Sequence, residues 1–240
     1  MDGQELKEAR LAKDWTQQQA AEKLGVTQAY LSMLERGRRV LPRVLARKAV
    51  QVLDAPVTAL PLGEGLAVFP ALTPALATGG SDKTRSDLAA LGYPGFAHLR
   101  GRRARRNPAE VLLRALGEPD LNSRVVEGLP WLAQRYADMD WDWAVQTAKL
   151  NDRQNRLGFV ATLAYDLTKT VADKDERGTR KLKEYVAVLE RSRLAREDTL
   201  CHDSLTEAER RWLRVNRTDE AKHWNLLTDM KAENLSYAGN

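Results

Sequence analysis

The sequence predicts an all-α protein with three parts: a five-helix amino-terminal domain over 1–62, an irregular connector over 63–106, and a helical domain over 107–240. Two observations favour this class. Apolar residues recur at spacings of three and four, and helix-capping residues separate the apolar segments. Sustained two-residue alternation of the strand type is missing from the sequence. With 240 residues, of which 43% are hydrophobic, the chain is long enough for two packed cores.

The amino-terminal domain contains two short helices joined by a glycine turn. Leu6, Ala9 and Leu11 predict a first helix. Thr16 is the expected N-cap of the second, and Gly25 can leave it at positive φ. A third helix is expected over 28–36, capped by Thr27, and further helices over 42–53 and 57–62. The second and third helices form a helix-turn-helix signature.

The connector is predicted from its prolines and glycines, with one short helix expected over 86–91. It carries a basic run whose arginines could form a DNA arm that follows phosphates or enters a narrow minor groove. Contact with a protein partner and a merely solvated linker are the alternatives. The candidate arm residues are Arg102, Arg103, Arg105 and Arg106.

The carboxy-terminal domain reads as a succession of helices. Asn107-Pro108 is a strong helix start, and that helix should stop at Gly117. Three further helices are then expected, from Pro130 to Tyr136, from Asp140 to Leu150 and over 151–170. A charged loop over 173–178 should follow, and then a helix over 179–196. The last two expected helices are one that begins after a capping box at 204–207 and ends near Asn216, and one capped by Thr218.

Positive charge is concentrated in the first half of the chain. Residues 1–62 carry ten Lys/Arg against seven Asp/Glu, a balance of +3, and residues 95–116 carry six against one, a balance of +5. Residues 117–240 carry twenty against twenty-two, a balance of −2. The surface that a polyphosphate requires is therefore expected in the amino-terminal half.

Composition excludes several other classes. The single cysteine, Cys201, forms no internal disulfide, and the three scattered histidines assemble no zinc cluster, so no metal and no cofactor are expected. The amino terminus lacks a signal-peptide pattern and no apolar run is long enough to span a membrane, which predicts a cytoplasmic protein. Neither a metallopeptidase His pair nor a phosphate-binding glycine loop occurs, and the adjacent Cys201-His202 resembles an ordinary loop, so an enzyme is not expected.

The segment TQQQAAEKLGVTQAYLSMLERGRR, Thr16 to Arg39, resembles the helix-turn-helix domains of the Cro/C1-type repressor (XRE) family. The resemblance covers about 1–62. It implies a repressor-like fold, double-stranded operator DNA as partner, and a recognition helix that begins at Thr27 and lies in the major groove. Gln28 is then best placed for bidentate hydrogen bonds to adenine N6 and N7.

Other residues in and around the motif take their roles from the same resemblance. Ala29 could touch a thymine methyl, while Tyr30 and Ser32 would be the next base or phosphate contacts; half-packing on the helix surface is the alternative for Tyr30. The expected phosphate contacts, which fix register without reading sequence, are Gln17, Arg10, Arg36, Arg38 and Arg39.

Five of the six tryptophans lie in the carboxy-terminal domain. Trp141 and Trp143 are two positions apart on a predicted helix, so they cannot face the same core, and one is expected at a partner-binding surface unless two cores bury them.

Many repressors with this motif are antitoxins. The sequence therefore favours an autorepressing, homodimeric antitoxin that binds a toxin; the alternative is a repressor that responds to a small molecule. An apolar pocket would favour the second and a flat apolar patch the first.

Overall fold

The computed structural model describes residues 1–62, 80–99, 105–170 and 175–235. The chain divides into two compact units, Met1–Leu62 and Gly63–Asn240. The all-α prediction is confirmed, because the described residues are mostly helical. None of their helices has the length and apolar character needed to cross a membrane.

The first unit consists of four α-helices and a single 3-10 turn. The helices are α1 (Gly3–Leu11), α2 (Gln17–Leu24), α3 (Gln28–Glu35) and α4 (Arg43–Val52), and the turn spans Val57–Ala59. The fifth predicted helix, over 57–62, is therefore reduced to this turn.

Local capping fixes the ends of the helices in the first unit. Thr16 accepts a hydrogen bond from the Gln19 amide while the Gln19 side chain accepts one from the Thr16 amide, and Thr27 caps α3 by accepting from Tyr30. Gly25 ends α2 at φ +72°, where any other residue would be strained. The turn between α2 and α3 thus follows directly from local sequence.

The core of the first unit forms from the inward faces of its four helices. These faces contribute leucines and alanines: Leu6, Ala20, Ala21, Leu24, Leu31, Leu34, Ala49 and Leu53. Leu31 and Leu34 are fully buried, so the back of α3 is anchored in the core.

The second unit contains eight described α-helices. They are α5 (Gly80–Leu91), α6 (Pro108–Gly117), α7 (Ser123–Arg135), α8 (Trp141–Leu150), α9 (Gln154–Thr170), α10 (Glu176–Glu190), α11 (Glu207–Asn216) and α12 (Asp219–His223). Helix α9 packs against α7 and α10, and its residues from Leu157 to Ala161 are buried. The described 3-10 segments are Pro94–Leu99 and Ala232–Asn234.

Part of the predicted connector is a packed element of the second unit. Helix α5 begins at Gly80, six residues before the expected start, and it contacts α6 and α7. Leu88, Ala89 and Leu91 are buried, as is Phe96 in the following 3-10 segment. Within the described residues of this region, Gly92 and Tyr93 form a short interruption between α5 and the 3-10 segment. Residues 63–79 and 100–104 lie outside the described residues.

Three other expectations in the second unit are corrected. Helix α7 begins at Ser123, capped by Asn122, and runs through Pro130 rather than starting there. Helix α10 begins at Glu176, because Asp175 caps it by accepting from the Gly178 amide, and it ends at Glu190, before the expected Arg196. The capping box of α11 is formed by Thr206 and Glu209, two positions later than predicted.

A two-stranded parallel ladder joins distant parts of the second unit, although no strand was expected. β1 (Asp198–Thr199) pairs with β2 (Leu226–Leu227). Beside it, the buried Arg156 donates two hydrogen bonds of 2.8 Å to Asp198 and one of 3.1 Å to Asp203. Burial alone would raise the pKa of the Asp198 carboxyl, but Arg156 holds it below its usual value. Arg156 thus ties the loop after β1 to α9.

Candidate nucleic-acid interface

The first turn of α3 is the exposed part of a helix whose back is buried. Thr27, Gln28 and Ala29 are exposed, whereas Tyr30 and Ser32 are half-buried. Because Leu31 and Leu34 anchor the opposite face, the amino-terminal end of α3 is presented on a rigid support. This is the geometry of a helix that contacts base edges with its first residues.

A chain of hydrogen bonds runs from α1 to the first turn of α3. Arg10 donates to both carboxylate oxygens of Glu35, through Nε at 2.6 Å and Nη2 at 3.1 Å. Gln17 donates from Nε2 to Glu35 Oε2 at 2.8 Å, and Gln28 donates from Nε2 to Gln17 Oε1 at 2.8 Å. The buried Arg10–Glu35 pair thereby fixes Gln17, and Gln17 fixes Gln28.

The expected phosphate role of Arg10 is corrected. Its side chain is only 9% exposed, and its Nη1 donates to the carbonyl oxygen of Trp15 at 2.7 Å. Three of the five guanidinium N–H donors are thus used within the fold, and the nearly buried side chain does not reach a phosphate. Arg10 therefore joins α1 to α3.

Glu35 is the site residue that sequence reasoning missed. Its carboxylate is 1% exposed and accepts from both Arg10 and Gln17. A buried carboxylate needs such partners, because an unpaired charge would be strongly destabilising. Its partners lie 25 and 18 positions away, on α1 and α2. Helical periodicity alone could not reveal this role.

Gln28 keeps hydrogen-bonding capacity beyond its bond to Gln17. A primary amide has two N–H donors and one carbonyl acceptor, and only one donor is used here. The second N–H and Oε1 have no partner within the described part of the chain. One donor and one acceptor side by side are what the N7 and N6 edge of adenine requires.

Tyr30 and Ser32, the other two expected DNA contacts on α3, have different surroundings. Tyr30 packs partly against the core of the first unit, and the guanidinium of Arg39 lies 5.9 Å from the centre of its ring. This cation–π contact holds the arginine near α3. Ser32 is half-buried, and its hydroxyl has no hydrogen-bond partner among the described residues. A phosphate contact by Ser32 stays a prediction.

The loop after α3 is both cationic and apolar. Arg36, Arg38 and Arg39 are exposed, and no carboxylate pairs with them among the residues that the structure describes. Val40 and Val44 beside them are 91% and 83% exposed. Guanidinium groups without a carboxylate partner next to α3 suit phosphate binding. The two valines were not singled out from sequence.

One of the four arginines of the candidate DNA arm is held in ion pairs within the second unit. Arg106 pairs with Glu110 at 3.3 Å and with the buried Asp87 at 3.5 Å, so it links α5 to α6. Its expected role in an arm is therefore corrected. Arg105 is exposed, and Arg102 and Arg103 lie outside the described residues.

The two tryptophans of α8 have different surroundings. Trp141 is 1% exposed, stacks on Tyr185 at 5.6 Å between ring centres, and donates from Nε1 to the Ala137 carbonyl. Trp141 is thus a core residue rather than a partner contact. Trp143 is half-buried and stays a candidate. Trp212 on α11 is 56% exposed and was not proposed from sequence.

Comparison with known proteins locates one match in the first unit. A family model described as Helix-turn-helix matches residues 6–60. No curated protein and no solved structure matches the chain. The match confirms the helix-turn-helix resemblance over this range and supports a DNA-binding transcription regulator.

Proposed function

We propose that this protein is a sequence-specific transcription regulator that binds operator DNA as a homodimer, with α3 in the major groove. The observation that carries the proposal is the hydrogen-bond chain from Arg10 through Glu35 and Gln17 to Gln28. A side chain that reads a base must be held in place before binding, because ordering it on binding costs affinity. Gln28 meets this requirement while keeping a free donor and acceptor.

Sequence information and electrostatic affinity come from different residues in this proposal. Gln28 reads adenine and Ala29 contacts a thymine methyl, since both lie on the exposed first turn of α3. Arg36, Arg38 and Arg39 bind phosphates, and Gln17 adds a phosphate contact through its second N–H. These positions agree with the +3 balance of residues 1–62.

The direct test is selection of binding sites from a random pool of DNA duplexes with the full chain. A homodimer should enrich a pseudo-palindrome whose half-site centres lie about one helical turn, 34–36 Å, apart. The half-site should contain an invariant A·T pair that Gln28 reads. Enrichment of no sequence over the starting pool, under salt conditions that allow binding, would contradict the proposal.

For the second unit we propose a protein partner, and the specific form of this proposal is an antitoxin that neutralises a toxin and represses its own operon. Trp143 supports a partner surface, because half-buried tryptophan is a common anchor at interfaces. Capture of the product of the neighbouring reading frame by the full chain tests this role. Trp143→Ala should weaken capture by about 2 kcal/mol or more if Trp143 is an anchor, whereas capture by residues 1–62 alone would contradict it.

A cavity favours the second candidate function, a repressor that responds to a small molecule. It has a volume of about 510 Å³, and its floor includes the buried Leu200, Leu213 and Leu227. Its lining also includes charged side chains, among them Glu127, Asp229 and Lys231, which would orient a polar ligand over the apolar residues. Thr228→Trp, at the half-buried rim, should fill the cavity. If the cavity takes a ligand, the compound that releases wild-type protein from its operator should leave this variant bound.

A further inference from the structure

Helix α11 exposes an apolar stripe. Trp212 and Val215 are 56% and 77% exposed, and Ala208, one turn before Trp212, is exposed as well. Leu213 on the opposite side is buried and attaches the helix to the unit. Positions three and four apart lie on one face of a helix, so these three side chains form a single outward surface. Exposed tryptophan on such a surface is unusual without a partner.

Two opposite charges lie beside this stripe. Glu207 and Arg211 are four positions apart and therefore share one flank of α11. Both are exposed, and neither has a hydrogen bond or ion pair within the described ranges. Arg214 and Glu209, by contrast, are engaged with Glu197 and Thr206. The unpaired charges are thus available to a partner that carries the reverse order of charge.

We infer that the partner of this surface is α11 of a second copy of the chain, packed antiparallel across a two-fold axis that passes between Glu209 and Arg210. In this register Glu207 meets Arg211 of the second copy. By symmetry a second, identical ion pair forms. Trp212 packs over the small Ala208 of the other helix. The same surface patch therefore serves both copies, as a two-fold interface requires.

Charge order is the reason for choosing a second copy in antiparallel orientation. A parallel two-fold pairing would place the Glu207 and Arg211 flanks of the two helices on opposite sides of the interface, where neither charge meets its counterpart. The antiparallel pairing brings both flanks to the same side, so each Glu207 faces an Arg211. A large side chain opposite a small one also allows the two helices to approach closely. One helix thus carries both halves of a complementary interface.

The inference rests on the proposed function only in naming the contact that makes the regulator a dimer. A pseudo-palindromic operator requires two-fold symmetry in the protein. A contact through α11 supplies it from the second unit and uses no residue of α3.

The first test measures association of the full chain by sedimentation equilibrium over nanomolar to micromolar concentrations. Wild-type protein should be a dimer in the micromolar range. Trp212→Asp should raise the dimer dissociation constant at least about 30-fold, equivalent to about 2 kcal/mol. Leu150→Asp is the matched control, since Leu150 is 68% exposed on α8, and it should leave association unchanged. A monomeric wild-type protein, or equal effects of both substitutions, would overturn the inference.

A charge exchange tests the register. Glu207→Arg and Arg211→Glu should each weaken the dimer, because each places like charges opposite one another. The double variant E207R/R211E should restore association toward the wild-type value, since the pair is re-formed with reversed sign. Thermal unfolding followed by circular dichroism shows whether each variant is folded. Single variants that weaken the dimer with no recovery in the folded double variant would overturn the antiparallel register.

The two proposals fail separately. Gln28→Ala should remain a dimer while losing operator specificity, and Trp212→Asp should keep its affinity for a single half-site while losing cooperative binding to the full operator. A wild-type dimer that Trp212→Asp leaves intact, and that enriches a specific site, would refute the α11 contact alone. A dimer that Trp212→Asp dissociates, but that enriches no DNA sequence, would refute the proposed function alone.

Discussion

The side-chain amide of Gln28 donates a hydrogen bond of 2.8 Å to the side-chain oxygen of Gln17. Gln17 is held in turn by the buried carboxylate of Glu35. The exposed end of the recognition helix is therefore connected to the core by side chains as well as by backbone. If Gln28 reads a base as proposed, Gln17 and Glu35 affect that reading without touching the base.

Gln17→Ala should weaken operator binding, because it removes the proposed phosphate donor and releases the Gln28 side chain. Ordering one such side chain on binding costs about 0.5–1.5 kcal/mol, and this loss should appear as coupling between the two residues. The check is a double-mutant cycle with Gln28→Ala by fluorescence anisotropy, with Gln18→Ala on the same helix as the matched control. Strictly additive losses would show that Gln17 does not position Gln28.

Arg10→Met should destabilise the first unit by about 3–5 kcal/mol, because it leaves the Glu35 carboxylate buried without its cation. Hydrogen exchange of the α1 and α3 amides in the full chain reports this loss without interference from the second unit. The double variant R10M/E35L should recover most of the protection, since both charges are then gone. Unchanged exchange in Arg10→Met would show that the pair contributes little.

Replacing both Arg38 and Arg39 by Ala should weaken binding to every DNA sequence alike. Each lost phosphate contact should make the slope of log K against log salt concentration shallower by about 0.9. The double alanine variant of Arg177 and Arg180, on α10 of the second unit, has the same net charge and separates contact from overall charge. An unchanged slope in the Arg38/Arg39 variant would remove both residues from the interface.

Cys201 should be inert in the folded protein. The thiol is fully buried and donates to the Ala115 carbonyl at 3.3 Å, and burial raises its pKa to about 11. Since the thiolate is the reactive form, a disulfide reagent at pH 8 should find almost no thiolate and no access to it. One thiol per chain should react after unfolding in urea. Rapid reaction of the native protein would contradict the buried position of this residue.

Features fixed by neighbouring residues could be predicted from the sequence. The caps at Thr16, Thr27, Asn107 and Thr218 and the left-handed Gly25 follow from contacts within four positions, and all five are as expected. The exposed first turn of α3 follows in the same way. These local signals suffice to place α2, α3 and the turn between them.

Features that depend on distant partners could not be predicted. The sequence predicts that Arg10 is a surface cation, but in the structure it pairs with Glu35, 25 positions away. It also predicts that Arg106 belongs to a DNA arm, but in the structure it pairs with Asp87. Pro130 is a typical first residue of a helix, yet α7 continues through it and packs on α9. The two-residue strands are too short to produce any periodicity.

The central claim is that Gln28 reads a base. The most direct measurement compares wild-type protein and Gln28→Ala on the selected operator, on the operator with one A·T pair of each half-site replaced, and on random DNA. Gln28→Ala should lose about 1–3 kcal/mol per half-site on the operator, little on random DNA, and all discrimination at the replaced pair. Equal losses on operator and random DNA, with discrimination retained, would instead make Gln28 a phosphate contact and contradict the account.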